Sequence, residues 1–251
     1  MTDFVAGADG TRIAFDSVGE GRPILLIHGF ASNREINWRK PGWYDHLARA
    51  GFRVIAFDNR GHGESDKPHD ITAYDEGTMV GDALAVLDAL KIQSCDMMGY
   101  SMGGYLLIRL MHDQPARVGR AVCAGIGGTY FGFWDKRAKK IAVAMLTKDI
   151  EGIADPLAQE FRRFADKAGD DLEAMAACIQ RPRITFTMDE LRAITTPVLL
   201  VTGENDDMSG PPERLARVFP NSRLEIVPGR DHHRTVGDPV YKRAVTKFLQ
   251  G

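Results

Sequence analysis

The chain has 251 residues, with 32 Lys and Arg against 34 Asp and Glu and a formal net charge of −2. That length suits one α/β domain with a large buried core and needs no second full domain. The balanced, interspersed charge argues against a nucleic-acid partner, which requires a basic face to neutralise phosphates.

Residues 4–6 and 12–17 flank Asp9-Gly10, a tight-turn pair, and predict an opening antiparallel hairpin. The apolar run 24–27 reads as a buried parallel strand, followed by a helix around 43–50, a stop at Gly51 and a strand over 53–57. After the loop 58–66, a helix across 75–90 carries the apolar stripe Met79, Ala83, Val86, Leu87 and Leu90, which should pack on the sheet. Strands at 94–98, 118–124, 197–202 and 224–227 follow, with a helix over 105–111 after the first and a last helix near 240–249. There is no internal repeat and no low-complexity tract. The alternation predicts an α/β fold whose central sheet is mostly parallel, with helices on both faces.

Cys95, Cys123 and Cys178 are odd in number and lack CxxC spacing, which fits a reducing compartment better than a disulfide framework. Cys95 and Cys123 fall in or beside core strands, where a thiol acts as a small apolar filler. The N-terminus lacks a basic and an apolar leader region, and nowhere do eighteen apolar residues run together, so a cytoplasmic protein without a membrane span is expected. The basic groups at 136–140 and Arg162-Arg163 stand near acidic residues and read as solvated helix faces.

The chemistry concentrates where the strand 94–98 runs into the next helix. Gly99-Tyr100-Ser101-Met102-Gly103 places a serine in a GxSxG turn, too tight for β-carbons at the flanking glycines. Such a turn pushes the hydroxyl out at a helix N-terminus, where unpaired N–H groups favour negative charge. Downstream, the strand 197–202 ends in Gly203-Glu204-Asn205-Asp206-Asp207, which offers an orienting carboxylate. The strand 224–227 leads into Gly229-Arg230-Asp231-His232-His233, where either imidazole is a candidate general base. The order serine, acid, histidine is that of a nucleophile elbow on an α/β sheet. The segment His28-Gly29-Phe30, after the strand 24–27, would bring the Phe30 N–H towards the serine. Together with the Met102 N–H it would form an oxyanion hole.

These motifs resemble the α/β-hydrolase superfamily from residue 11 to the end: His28-Gly29-Phe30, Asp58-Asn59-Arg60-Gly61-His62-Gly63-Glu64-Ser65, the serine turn, 197–206 and 229–232. The resemblance implies a core of residues 1–126 and 190–251 and a small helical cap at 127–189. It implies catalytic Ser101, with Asp206 and His232 preferred over their neighbours because Gly203-x-x-Asp206 and Gly229-x-x-His232 match the family spacing. A serine at the elbow sets the chain apart from haloalkane dehalogenases and epoxide hydrolases, which attack with an aspartate there. The implied activity is carboxylic-ester hydrolysis of a small-molecule substrate through an acyl-enzyme. Thioester or lactone hydrolysis, acyl transfer, carbon–carbon bond hydrolysis and perhydrolysis use the same triad, and a non-turnover ligand receptor is the alternative of another class.

In the cap, Tyr130-Phe131-Gly132-Phe133-Trp134 either lines an acyl pocket or packs the cap onto the core. The helical stripes Leu157, Phe161, Phe164 and Met175, Cys178, Ile179 are expected to pack. His62, Asp58 and Arg60 are expected to be architectural, His28 to orient the oxyanion loop, and His46, His69 and His112 to lie at the surface. No cofactor is expected. A metal is not expected either, since HExxH is absent and the adjacent side chains His232 and His233 point apart in extended chain. Oligomeric state is unreadable from the sequence.

Overall fold

A computed structural model describes residues 1–132 and 134–251. The apolar runs form one eight-stranded sheet: β1 (Asp3–Ala6), β2 (Arg12–Val18), β3 (Arg22–Ile27), β4 (Phe52–Phe57), β5 (Cys95–Tyr100), β6 (Val118–Ala124), β7 (Val198–Gly203) and β8 (Ser222–Val227). Their spatial order is β1-β2-β4-β3-β5-β6-β7-β8. The opening hairpin pairs Val5 with Ile13, and β2 lies antiparallel on β4 with Phe15 opposite Phe57. From β4 to β8 every pairing is parallel. This is the α/β architecture the alternation predicts.

A strand covered on both faces sends alternate residues to opposite cores. In β3, Leu25 and Ile27 enter the core shared with α2 (Glu76–Ala89) and α3 (Met102–Asp113), while Ile24 and Leu26 enter the one shared with α1 (Trp43–Arg49) and α9 (Pro239–Gln250). The stripe Met79, Ala83, Val86 and Leu87 on α2 is buried as expected. Gly51, at φ +87°, ends α1 in the left-handed conformation that favours glycine.

Between β6 and β7 the chain forms α4 (Asp135–Leu146), α5 (Pro156–Ala168), α6 (Leu172–Ile179) and α7 (Met188–Ala193), and α8 (Glu213–Ala216) follows β7. The first three pack on one another, and α6 also packs on the turn at Ile71–Tyr74 of the core. Asp155 and Asp171 cap α5 and α6 by accepting N–H groups of their first turns. Arg162 departs from the expected solvated face: it is buried, and its Nη1 donates to the carbonyls of Ala144, Met145 and Thr147, closing the C-terminal end of α4. Cys95, Cys123 and Cys178 are buried free thiols. Among the described residues no helix is long and apolar enough to cross a membrane.

Candidate active site

Parallel strands deliver their C-terminal loops to one edge of the sheet, and at the middle of that edge β5 turns into α3. Ser101 sits in that turn at φ +51° and ψ −114°, a strained conformation for a residue with a β-carbon. Its glycines are sterically required. A β-carbon on Gly99 would stand 2.2 Å from the Gly103 carbonyl oxygen, and one on Gly103 would stand 2.0 Å from that of Ile27. The Ser101 N–H is held by the Ala124 carbonyl at 2.8 Å, while its hydroxyl makes no capping bond to α3.

The loops after β7 and β8 are stitched together by main-chain bonds, Glu204 N–H to the Val227 carbonyl and Asn205 N–H to that of Arg230, both 2.9 Å. Asp206 thereby meets His232, with Nδ1 at 2.9 and 3.1 Å from the two carboxylate oxygens. The carboxylate accepts, so Nδ1 carries a proton, and in the neutral ring that tautomer leaves the lone pair on Nε2, across the ring. Burial disfavours the Asp206 charge, but hydrogen bonds from His232 and Ser209 outweigh it and hold its carboxyl below the ordinary range.

His232 is braced from behind. The Tyr100 hydroxyl donates to the His232 carbonyl, and a β-carbon on Gly125 would stand 3.0 Å from His232 Cε1. His232 and Ser101 line one cavity of about 200 Å³, with Phe30, Asn37, Phe161, Phe164 and His233 among its other walls. Among the described residues no hydrogen bond joins Ser101 Oγ to the imidazole, whose bonds run through Nδ1 to Asp206 and, at 3.5 Å, to Ser209. The Phe30 and Met102 N–H groups likewise have no partner among the described residues, while the next amide, that of Ala31, is taken by His62 Nε2 at 3.2 Å.

Several expectations change on contact with the structure. His233 does not point away from His232: residues 232–237 turn rather than extend, so both rings face the cavity, 5.7 Å apart, and His233 pairs with Glu160 of α5 at 3.1 Å. Of the two readings open for the aromatic cluster, its described members Tyr130, Phe131 and Trp134 take packing and are not among the cavity walls. Tyr130 is buried and stacks on Tyr105, Phe131 packs on Tyr130, and Trp134 lies against Arg183; Phe133 is outside the described residues. The α5 side of the cavity comes from Phe161 and Phe164, a stripe expected only to pack, while Met175, Cys178 and Ile179 do pack. Ser209 was not among the expected residues, although a serine three positions after an aspartate is the signature of a local turn: its N–H and Oγ reach Asp206 at 2.9 and 2.7 Å.

The loop after β4 is held by salt bridges. Asp58 pairs with buried Arg34, and Arg60 with Asp82 and Asp9. Buried His28 accepts the Asn59 N–H on Nε2 and donates Nδ1–H to the Gly29 carbonyl, which fixes it neutral beside Phe30. Burial pushes its pKa down to about 4. A depressed imidazole pKa means that protonation favours the unfolded chain. The His28 contribution to stability is therefore whole above the unfolded value near 6.5 and falls by up to about 3 kcal/mol as the pH drops towards 4. An NMR titration should find the His28 ring neutral at pH 5.5; a midpoint near 6.5 would contradict this placement.

Among the described residues no group of three or more His, Cys, Asp or Glu is arranged to hold a metal ion. The sequence model of the alpha/beta hydrolase fold matches residues 22–166, more than half of the chain. The chain belongs to that family, and it is a hydrolase by class. The 2-hydroxymuconate semialdehyde hydrolase of Pseudomonas putida is 31% identical, the match covering 96% of this chain and 92% of that protein. The non-heme haloperoxidase of Rhodococcus erythropolis is 28% identical, with 91% and 92% covered. Among solved structures, an esterase from Exiguobacterium antarcticum superposes with a TM-score of 0.83 at 23% identity over the full length of both chains. The fold is thus shared across relatives with different named reactions, and the reaction of this chain has to be argued from its site.

Proposed function

We propose that the protein cleaves carboxylic esters of small molecules through an acyl-enzyme on Ser101. The observation that carries this reading is the His232 imidazole, bonded through Nδ1 to buried Asp206 while its ring lines the same cavity as Ser101. In the reaction, Nε2 takes the Ser101 proton as Oγ attacks the carbonyl, and Asp206 stabilises the imidazolium. The N–H groups of Phe30 and Met102 receive the oxyanion. His232 then gives its proton to the leaving alcohol, and water repeats the cycle on the acyl group. The step requires Oγ and Nε2 to close into a hydrogen bond once substrate fills the cavity, a contact that commonly tightens only on binding.

Hydrolysis is preferred over acyl transfer and perhydrolysis because water is the only second reactant it needs, and among hydrolyses ester cleavage asks only that Ser101 attack a carbonyl whose alcohol leaving group takes the His232 proton. Residues 127–189 act as the cap, with α5 supplying Phe161 and Phe164 over the serine. The cavity of about 200 Å³ is smaller than the roughly 300–1,000 Å³ of sites for drug-sized ligands, so a short acyl group fits it best. Across p-nitrophenyl esters, kcat/KM should be highest from acetyl to butyryl and fall roughly tenfold or more by octanoyl. A flat response along the series would count against this reading.

A further inference from the structure

Among the described residues three donors reach the carboxylate of Asp206, and two of them belong to one residue. Besides His232 Nδ1, the Ser209 N–H donates to Oδ1 at 2.9 Å and the Ser209 hydroxyl donates to Oδ2 at 2.7 Å. The Asp206 side chain and Ser209 are each 1% exposed, so bulk water does not compete for either bond. Ser209 is itself held. Its carbonyl accepts the Thr129 N–H at 3.0 Å and the Thr129 hydroxyl at 2.9 Å, which ties the loop after β7 to the turn that follows β6. A clamp on both oxygens, from a residue that is pinned in turn, fixes the plane of the carboxylate.

The hydroxyl bonds Oδ2, which is also the nearer of the two oxygens to His232 Nδ1, at 2.9 Å. A carboxylate oxygen that accepts two donors shares its charge between them, so each bond weakens the pull on the other donor. A hydroxyl has one proton, and with that proton directed at Oδ2 the Ser209 oxygen faces Nδ1 at 3.5 Å only as a distant acceptor. The other titratable groups around the ring are Tyr100, packed on it, His233 with its partner Glu160, and Asp231, and among the described residues none of them bonds Ser209. We infer that Ser209 is a positioning residue for the proposed general base: it fixes the Asp206 carboxylate towards His232 and draws off part of its charge, so that the imidazole stays free to accept the Ser101 proton at lower pH than it would without the hydroxyl. The inference rests on the serine-hydrolase reading and adds to it the residue that sets the strength of the base.

The test follows kcat/KM for p-nitrophenyl acetate across the pH range in wild type, Ser209→Ala and Ser209→Thr, with the His232 ring titrated by NMR in the same histidine-labelled proteins. Ser209→Ala removes the hydroxyl and keeps the main-chain N–H. Its acid limb and its ring titration should both move up by roughly 0.5 pH unit, with the plateau lowered by less than about tenfold. Ser209→Thr keeps a hydroxyl and should bring the limb back towards wild type. Ser209→Cys, close to serine in size and a much weaker donor, carries the same prediction as alanine if the alanine variant does not fold. A plateau that falls while the limb and the ring titration stay in place is the mark of a purely structural role and overturns the inference. A downward shift in the alanine or cysteine variant also overturns it. Absence of ester turnover in wild type, or unchanged turnover in Ser101→Ala, overturns the serine-hydrolase reading, whereas the NMR titration still decides whether Ser209 acts on His232 in the resting protein.

Discussion

Replacing Ser101 by alanine is expected to lower kcat for p-nitrophenyl acetate by on the order of a millionfold, with melting temperature and circular dichroism close to wild type. The size of the loss follows if the proposed triad acts as a unit: without the oxygen, His232 and Asp206 would have no proton to move, and only the proposed oxyanion donors and binding would remain. The fold should be unaffected. The Ser101 side chain makes no capping bond to α3, and alanine has the same β-carbon as serine, so the strain at φ +51° is not increased. Steady-state kinetics on freshly purified variant decide it. Retention of a tenth of wild-type activity would exclude Ser101 as the nucleophile.

The Asp206→Asn substitution is expected to cost about 10⁴-fold in kcat. The Ser209 N–H donates to Oδ1 at 2.9 Å, so an asparagine must turn its carbonyl oxygen to that side. Its amino group then stands where Oδ2 was, 2.9 Å from His232 Nδ1, and donates to it. The proton moves to Nε2, and the imidazole can no longer accept one from Ser101. The variant should melt at a lower temperature than wild type at neutral pH, because the bonds that stabilise the carboxylate charge are lost even though Ser209 keeps its contacts with the side chain. The depressed pKa of Asp206 contributes stability above the ordinary carboxylate range, lost as pH falls through the folded value, and that contribution disappears in the variant. Activity within tenfold of wild type would show that Asp206 does not orient the base.

The parallel strands were legible because a strand buried on both faces is a continuous apolar run, as in β3, where Ile24 to Ile27 are fully buried. The elbow was legible because Gly99 and Gly103 stand where a β-carbon would collide with main chain, a constraint that leaves its mark in the letters. The preference for Asp206 and His232 over their neighbours came from the spacing that the family resemblance supplies, and the structure brings these two side chains together. Other contacts depend on how distant segments meet. The bracing of His232 by Tyr100, and the fixing of the Asn37 carboxamide by Gly29, join residues whose pairing no local pattern announces. The segment 127–189 was hardest, because an apolar stripe looks the same whether it faces a core or a cavity. Phe161 and Phe164 went to the cavity, and Tyr130 to a stack on Tyr105. Arg162 shows the converse: a cation in a charged stretch became a buried helix cap.

The most direct measurement is the location of the acyl group itself. Wild-type enzyme mixed with excess p-nitrophenyl acetate and quenched in acid within the burst should carry one acetyl group. Peptide mass spectrometry should place it on Ser101, and Ser101→Ala should remain unmodified. An acetyl group found on another residue, or turnover without any adduct at Ser101 under conditions where deacylation is slow, would contradict the account.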